Sequence, residues 1–194
     1  MIHDNNKLKH IIEALVLTST SPLPISKLKK ILEEKHQMTQ QYLTSLINEI
    51  KKECEETRGI VLVEVAGGLQ FRTKPHLLEW LKKLDEFSPI KMTRALVETM
   101  AIIAYKQPLT KAEVEDIRGV DSSYAVKSLL EGNFIKISGR KEDVGRPLLY
   151  TTTDHFLEFF SLNSLRDLPS LKEFAEIQVT KFNFTNQLKN LKNQ

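Results

Sequence analysis

The sequence predicts a mainly α chain with small β hairpins, an α+β fold made of two similar modules in tandem, and three observations lead there. A Pro-apolar-hydroxyl-Lys tetrapeptide occurs twice after an apolar helical segment, as Pro24-Ile25-Ser26-Lys27 and Pro108-Leu109-Thr110-Lys111. Residues 71–81 read FRTKPHLLEWL and residues 150–160 read YTTTDHFLEFF, so that aromatic, Thr, His, Leu and Glu positions coincide without a gap. The two landmarks are 52 residues apart in the first copy (Pro24 to His76) and 47 in the second (Pro108 to His155). A supersecondary unit used twice accounts for all three.

The elements of each module follow in order. Residues 11–17 and 96–104 carry apolar side chains at helical spacing. Ser26 and Thr110 are expected N-caps, since a hydroxyl there accepts from a free amide of the first turn, and they open second helices over 27–33 and 111–118. A third helix is expected over 39–57, with Tyr42, Leu43, Leu46, Ile47 and Ile50 as its buried stripe. Its counterpart over 122–131 ends at Gly132, a residue suited to a left-handed stop. Then come hairpins: 60–65 returning through Ala66-Gly67-Gly68 to 69–72, and 134–138 joined to 148–151 by the charged loop 139–147. Each module adds one more helix, 75–84 and 154–160. Three helices followed by a hairpin is the winged-helix order, a helix-turn-helix variant. The expected domains are 1–88, 89–162 and a C-terminal tail, 163–194, whose Asn-, Lys- and Gln-rich end after 182 is expected to be partly disordered.

Composition narrows the function. The chain has 194 residues, 41% hydrophobic and 27% charged, which is ordinary for a globular protein. No apolar run approaches the roughly 20 residues that span a bilayer, and the polar N-terminus has no secretory pattern, so a cytoplasmic location is expected. The single cysteine, Cys54, can form neither an internal disulfide nor a thiolate cluster. His3, His10, His36, His76 and His155 show no metal-ligand spacing. His76 and His155 share a place in the repeat, which argues for a structural role. There is no nucleophile elbow, phosphate loop or Walker lysine; neither an enzymatic activity nor a cofactor is expected.

A DNA-binding transcriptional regulator is the rival reading, because such folds often insert the third helix into the major groove. Charge argues against it. Residues 39–57 hold Lys51 and Lys52 against Glu49, Glu53, Glu55 and Glu56, and 121–131 hold Lys127 against Asp121 and Glu131. Phosphates repel such helices, and phosphate contacts supply most non-specific affinity. Arg140, Lys141 and Arg146 in the second wing are interrupted by Glu142 and Asp143. Protein docking is the expected use.

Several long motifs then carry a resemblance. Residues 60–75 (IVLVEVAGGLQFRTKP), 98–110 (ETMAIIAYKQPLT), 118–121 (RGVD), 139–141 with 145–150 (GRK, GRPLLY) and 167–169 (DLP) resemble, in order, the bacterial segregation and condensation protein B family. The likeness runs from about Ile11 to Leu171. It departs at Val144, where the family pattern has Pro, and at Thr151 and Ser161, where it has Gly; each should alter a local turn.

The resemblance implies a tandem winged-helix, non-enzymatic subunit of the SMC–kleisin complex that condenses and segregates chromosomes. Such a subunit homodimerises through its first module and binds the kleisin subunit ScpA, which links it to the SMC ATPase. On that basis the expected location is at the nucleoid, with direct DNA contact at most weak. Candidate dimer residues are Ile12, Leu15 and Val16 on the first helix. Candidate kleisin contacts are Arg140, Arg146, Pro147 and Tyr150, together with apolar residues of the second module's first helix.

Overall fold

In the computed structural model, which describes residues 5–81, 83 and 92–170, the first module begins with α1 (Asn5–Thr18), whose buried face is Leu8, Lys9, Ile12 and Val16. The i, i+4, i+8 spacing of Leu8, Ile12 and Val16 makes that face one stripe. A two-residue strand, β1 (Leu23–Pro24), leads into α2 (Ile25–Glu33), which buries Leu28 and Leu32. Helix α3 (Gln40–Thr57) is capped by the Thr39 hydroxyl, which accepts from the Tyr42 amide, and it buries Leu43, Leu46, Ile47, Ile50 and Cys54. These side chains join Leu23, Met38, Leu62 and Leu69 in one continuous core. Leu→Ala at a fully buried position such as Leu46 costs roughly 2–5 kcal/mol, more than any surface ion pair supplies.

The hairpin β2 (Ile60–Val65) and β3 (Gly68–Thr73) closes through two residues, Val65 pairing with Gly68. Ala66 and Gly67 both have positive φ, 49° and 73°, as a two-residue turn of the right twist requires. The expected hairpin is therefore present, with alanine bearing one of the left-handed positions. Past it lie a 3-10 turn (Pro75–Leu77) and the short α4 (Leu78–Leu81).

The second module repeats the plan: α5 (Arg94–Lys106), β4 (Leu109–Thr110), α6 (Lys111–Arg118), α7 (Ser123–Glu131), β5 (Ile135–Arg140), β6 (Leu148–Thr152) and α8 (Asp154–Phe160). Its core gathers Met100, Ile103, Val114, Ala125, Val126, Leu129, Phe134, Ile135 and Phe156. Each module carries its own three-stranded antiparallel sheet, ordered β1-β3-β2 and β4-β6-β5. A 3-10 turn at Leu165–Asp167 follows. The linker 85–91 and the tail beyond 170 lie outside the described residues. Residues up to Ser164 make one compact unit, and the chain from Leu165 is grouped separately.

Three local expectations need correction. The first echo is out of step by two residues: β1 and β4 both begin one residue after a proline, Pro22 and Pro108, so Pro22 is the true counterpart of Pro108. Ser26 consequently lies inside α2, whose N-cap is Pro24 without a side-chain cap. Thr110 does cap α6, in a full capping box with Glu113. Gly132 ends α7 at φ −76°, and the left-handed residue is its neighbour Asn133, φ 57°. The helix expected over 75–84 is a 3-10 turn and a single helical turn among the described residues.

A polar seam ties the first hairpin to the end of the second module. The Ala66 amide donates to the Leu162 carbonyl at 2.9 Å and the Gly67 amide to Asn163 Oδ1 at 2.9 Å. Gln70 Nε2 donates to Glu158 Oε1 at 2.7 Å. The Arg72 guanidinium donates to the Glu158 carbonyl, to Ser161 Oγ and, through Nε, to Gln70 Oε1. Ser161 holds φ 59° as the C-cap of α8. Where the family pattern has glycine, this serine keeps the left-handed turn and adds a hydroxyl acceptor for Arg72.

Two lysines organise the helices through ion pairs. Lys9, buried on α1, reaches Glu53 and Glu49 of α3 at 2.5 and 3.5 Å; the Glu53 hydrogen bond raises the lysine pKa, and Lys9 lowers that of Glu53. In the second module Lys141 Nζ lies 2.7 Å from Glu113 Oε1, while Glu113 Oε2 accepts from the Thr110 amide at 2.7 Å. Lys141 and the Thr110 donors hold the Glu113 carboxyl at about 2, against an ordinary 4.5.

Two outcomes are expected. A carboxylate with a depressed folded-state pKa stabilises the fold above its unfolded pKa, and that contribution disappears as pH falls from 4.5 towards 2. Glu113→Ala should lower unfolding free energy by about 1 kcal/mol at pH 7, the worth of a cap, and flatten that acid limb in chemical denaturation. Unaltered pH dependence between 4.5 and 2 would show that the carboxylate is not so held. Arg72→Ala should open the seam, speeding exchange of the Ala66 and Gly67 amides about tenfold, since one charged hydrogen bond is worth roughly 1.5–3 kcal/mol. Equal exchange in wild type and variant would show that Arg72 does not hold the contact.

Candidate functional site

The surfaces available to a partner are what remains after the cores and the seam are closed. The second wing is the most prominent. Among the described residues, strand β5 is an edge of its sheet, paired on one side only, by β6. A bulge falls between Ile137 and Gly139, and such irregularities re-aim the strand. From Lys136 to Arg140 every residue is exposed, including Ile137 at 49%.

The loop beyond is an ordered turn. The Asp143 carbonyl accepts from the Arg146 amide at 2.9 Å, and Asp143 Oδ1 accepts from the Val144 amide at 2.8 Å. Gly145 and Arg146 have φ 81° and 43°. Val144, where the family pattern has proline, is 98% exposed at the tip. Arg140 donates to the Arg146 carbonyl at 3.1 Å, so the two arginines share the wing base. Lys141, beside them, is engaged by Glu113, which fastens the wing to the start of α6.

The structure thus brings together Arg140 and Arg146, both exposed, with Pro147 half-buried at the base. Tyr150 does not share that surface. It is buried on β6, opposite Ile137, because β6 is the sheet's middle strand, and its part is packing. The apolar residues of α5 divide likewise: Met100, Ile103 and Ala104 are buried, while Leu96, Val97 and Ile102 are half-buried.

On α1, Ile12 and Val16 lie inside their own module's core, at 0% and 3% exposure. Both are corrected as surface candidates: the 3.6-residue period that marks an apolar face does not tell a core-facing stripe from a partner-facing one. Leu15 is partly buried against that core, and Leu17, two residues on and on the opposite side of the helix, is 70% exposed. Sequence reasoning passed over Leu17 because it falls off the periodic stripe, which is the signal that an apolar side chain points outward.

The third helices are less uniform than their summed charge suggests. All four acids of α3 lie in its C-terminal half, and three have cationic partners: Glu49 and Glu53 with Lys9, and Glu56 with Lys52. Helix α7 exposes Tyr124 at 75%, the end of α6 exposes Ile117 and the turn between them exposes Val120. Arg118 has a buried side chain that donates to Ser122 Oγ at 2.9 Å and lies 3.5 Å from Glu98 Oε2, fixing the α6–α7 turn to α5. Gly119 closes α6 at φ 71°.

Chemistry-bearing residues sit in structural surroundings. Cys54 is buried, and burial raises its thiol pKa, leaving it unreactive. The His155 ring packs 5.0 Å from that of Phe134, whereas the repeat-equivalent His76 is exposed; position in the first turn is shared, environment is not. Among the described residues no group of three His, Cys, Asp or Glu is placed to hold a metal ion, and no helix is long and apolar enough to cross a membrane.

Known proteins resemble this chain along nearly its whole length. A family model described as segregation and condensation complex subunit ScpB matches residues 10–171. The segregation and condensation protein B of Syntrophotalea carbinolica is 44% identical over 174 residues, covering 90% of this chain and 87% of that one. The homolog from Coxiella burnetii is 36% identical over 181 residues, covering 93% and 86%. A crystal structure of a dimer of the ScpB N-terminal domain complexed with ScpA peptide is 32% identical, with a TM-score of 0.37, over 41% of this chain and 95% of that one. The family match takes in both modules, the seam and the second wing, and so the chain belongs to the family of the segregation and condensation complex subunit ScpB.

Proposed function

We propose that this chain is a non-enzymatic subunit of the bacterial SMC–kleisin complex, acting at the nucleoid as a homodimer that binds the kleisin ScpA and so supports chromosome condensation and segregation. It divides labour between its modules: residues 1–88 dimerise and residues 89–162 take the kleisin, with 163–194 as a tail. Family membership supports the class of assembly. The observation that carries the mode of binding is the second wing, an edge strand with exposed Ile137 that leads to the paired Arg140 and Arg146. An added strand satisfies the open backbone groups of an edge, while neighbouring side chains select the partner. Arginines at the rim select an acidic or carbonyl-rich segment.

For dimerisation, Leu17 offers outward apolar surface on α1, while Leu15 packs against the module's own core. An exposed leucine of this kind contributes roughly 1.5–3 kcal/mol when covered.

The test is a calorimetric titration of the full chain with the central segment of ScpA, followed by mass measurement of the complex. Arg146→Glu should weaken binding about tenfold, the equivalent of about 1.4 kcal/mol, at an unchanged melting temperature. Unchanged affinity would remove the wing from the interface; absence of any complex with wild type would overturn the reading itself.

A further inference from the structure

We infer that the helix-turn-helix face of the first module is a contact site for duplex DNA, weak and tolerant of sequence. Charge is unevenly distributed along 25–57. Helix α2 and the turn after it carry Lys27, Lys29, Lys30 and Lys35 against Glu33 and Glu34, and the first half of α3, through Asn48, has no charged residue. The acids of α3 begin at Glu49. The net charge of −2 over 39–57 therefore describes the far half of the helix and not the half that such folds present to a groove.

The near half presents recognition chemistry. Gln41, Thr44, Ser45 and Asn48 are all exposed and follow the i, i+3, i+4, i+7 spacing of one helical face. Amides and hydroxyls of this kind donate to and accept from base edges in the major groove. The opposite face, Leu43, Leu46, Ile47 and Ile50, is committed to the core, so the helix is held with the polar stripe outward.

Exposed cations precede that stripe, on α2 and in the turn that leads into α3. Lys27 and Lys30 share an exposed face of α2 at i, i+3 spacing, and Lys35 is exposed in the turn. None of the three has a carboxylate partner among the described residues; Lys29, by contrast, pairs with Glu33 at 3.3 Å. Three ammonium groups without a carboxylate partner among the described residues, on the helix and turn that precede a neutral polar helix half, complement a polyanion. The groove dimensions select the duplex: a DNA major groove admits an α-helix, whereas that of RNA is too narrow.

The seam explains why the contact is weak. A winged helix that binds DNA tightly adds its wing to the backbone or minor groove, and here the first module's hairpin turn is engaged by Leu162 and Asn163. Helix and lysines act without it. Three phosphate contacts correspond to a slope of about −2.7 in log K against log salt.

The inference does not rest on the kleisin reading and is tested separately from it. Fluorescence anisotropy of a labelled 25-base-pair duplex, titrated with the full chain between 25 and 150 mM salt, should show binding that weakens with a slope between about −2 and −3. The triple variant Lys27→Glu, Lys30→Glu, Lys35→Glu should lose at least about tenfold at 25 mM while melting as wild type does and binding the ScpA segment equally well. Asn48→Ala should lose less and leave the slope unchanged, since it carries no charge. Lys127→Glu, on the third helix of the other module, should change nothing. No measurable binding by wild type at 25 mM, or equal binding by the triple variant, would overturn the inference.

Discussion

Both modules depend on a strand of two residues. In the first, β1 lies against β3 so closely that a Cβ on Gly68 would come within 2.7 Å of the Pro22 carbonyl carbon and 2.8 Å of that of Leu23. Real side chains do not fit at that distance, so only glycine lets the turn before α2 register with the hairpin. That contact makes β3 the central strand, sets where α2 starts and thereby orients α3 against the core. In the second module β4 performs the same service against β6, and Gln107 reinforces it: its amide nitrogen donates to Thr152 Oγ1 at 3.0 Å, and its Oε1 accepts from the Thr152 amide at 2.7 Å. The helix-turn-helix faces and the wings are consequences of this closure.

Above that frame, charge is used mostly within modules. Lys9 joins α1 to α3, Arg58 pairs with Glu13 at 2.7 Å, Lys51 reaches Glu64 at 2.7 Å and Lys141 secures the second wing to the Glu113 cap. Most of these pairs are half-exposed and each adds about 1 kcal/mol or less, small beside the fully buried leucines and isoleucines of the two cores. Their effect is on direction: they set which face each element shows. They also consume carboxylates, so the α3 acids that dominate a simple charge sum are largely answered from within the chain.

The repeat, the order of elements and the two hairpins were legible from residue pattern, because amphipathic period and turn chemistry act locally. Thr110 as a cap was legible for the same reason, hydroxyl and Glu113 being three residues apart. Ser26 misled because two prolines, Pro22 and Pro24, offer two alignments with Pro108, and only pairing to β3 chooses between them. Gly132 misled because the chain needed its left-handed residue one position later, where Phe134 turns into the core. Of the candidate surface, Arg140 and Arg146 were legible from charge on a loop. Tyr150, Ile12 and Val16 were not, since an apolar residue at the right period reads the same whether it meets its own core or a partner.

By itself the sequence determined the two-module plan, the family and the absence of any recognisable catalytic motif, all properties carried by short contiguous runs. Tertiary structure alone decided which apolar residues remain outside, with Leu17 and Ile137 exposed and Val16 and Ile135 covered, and that Lys9 and Arg58 answer acids 40 residues and more away. It also decided that the first hairpin meets the second module through Arg72, Glu158 and Ser161. The physical reason is range: helical period, caps and turns act over a few residues, whereas burial and the pairing of distant charges exist only after the chain has closed on itself.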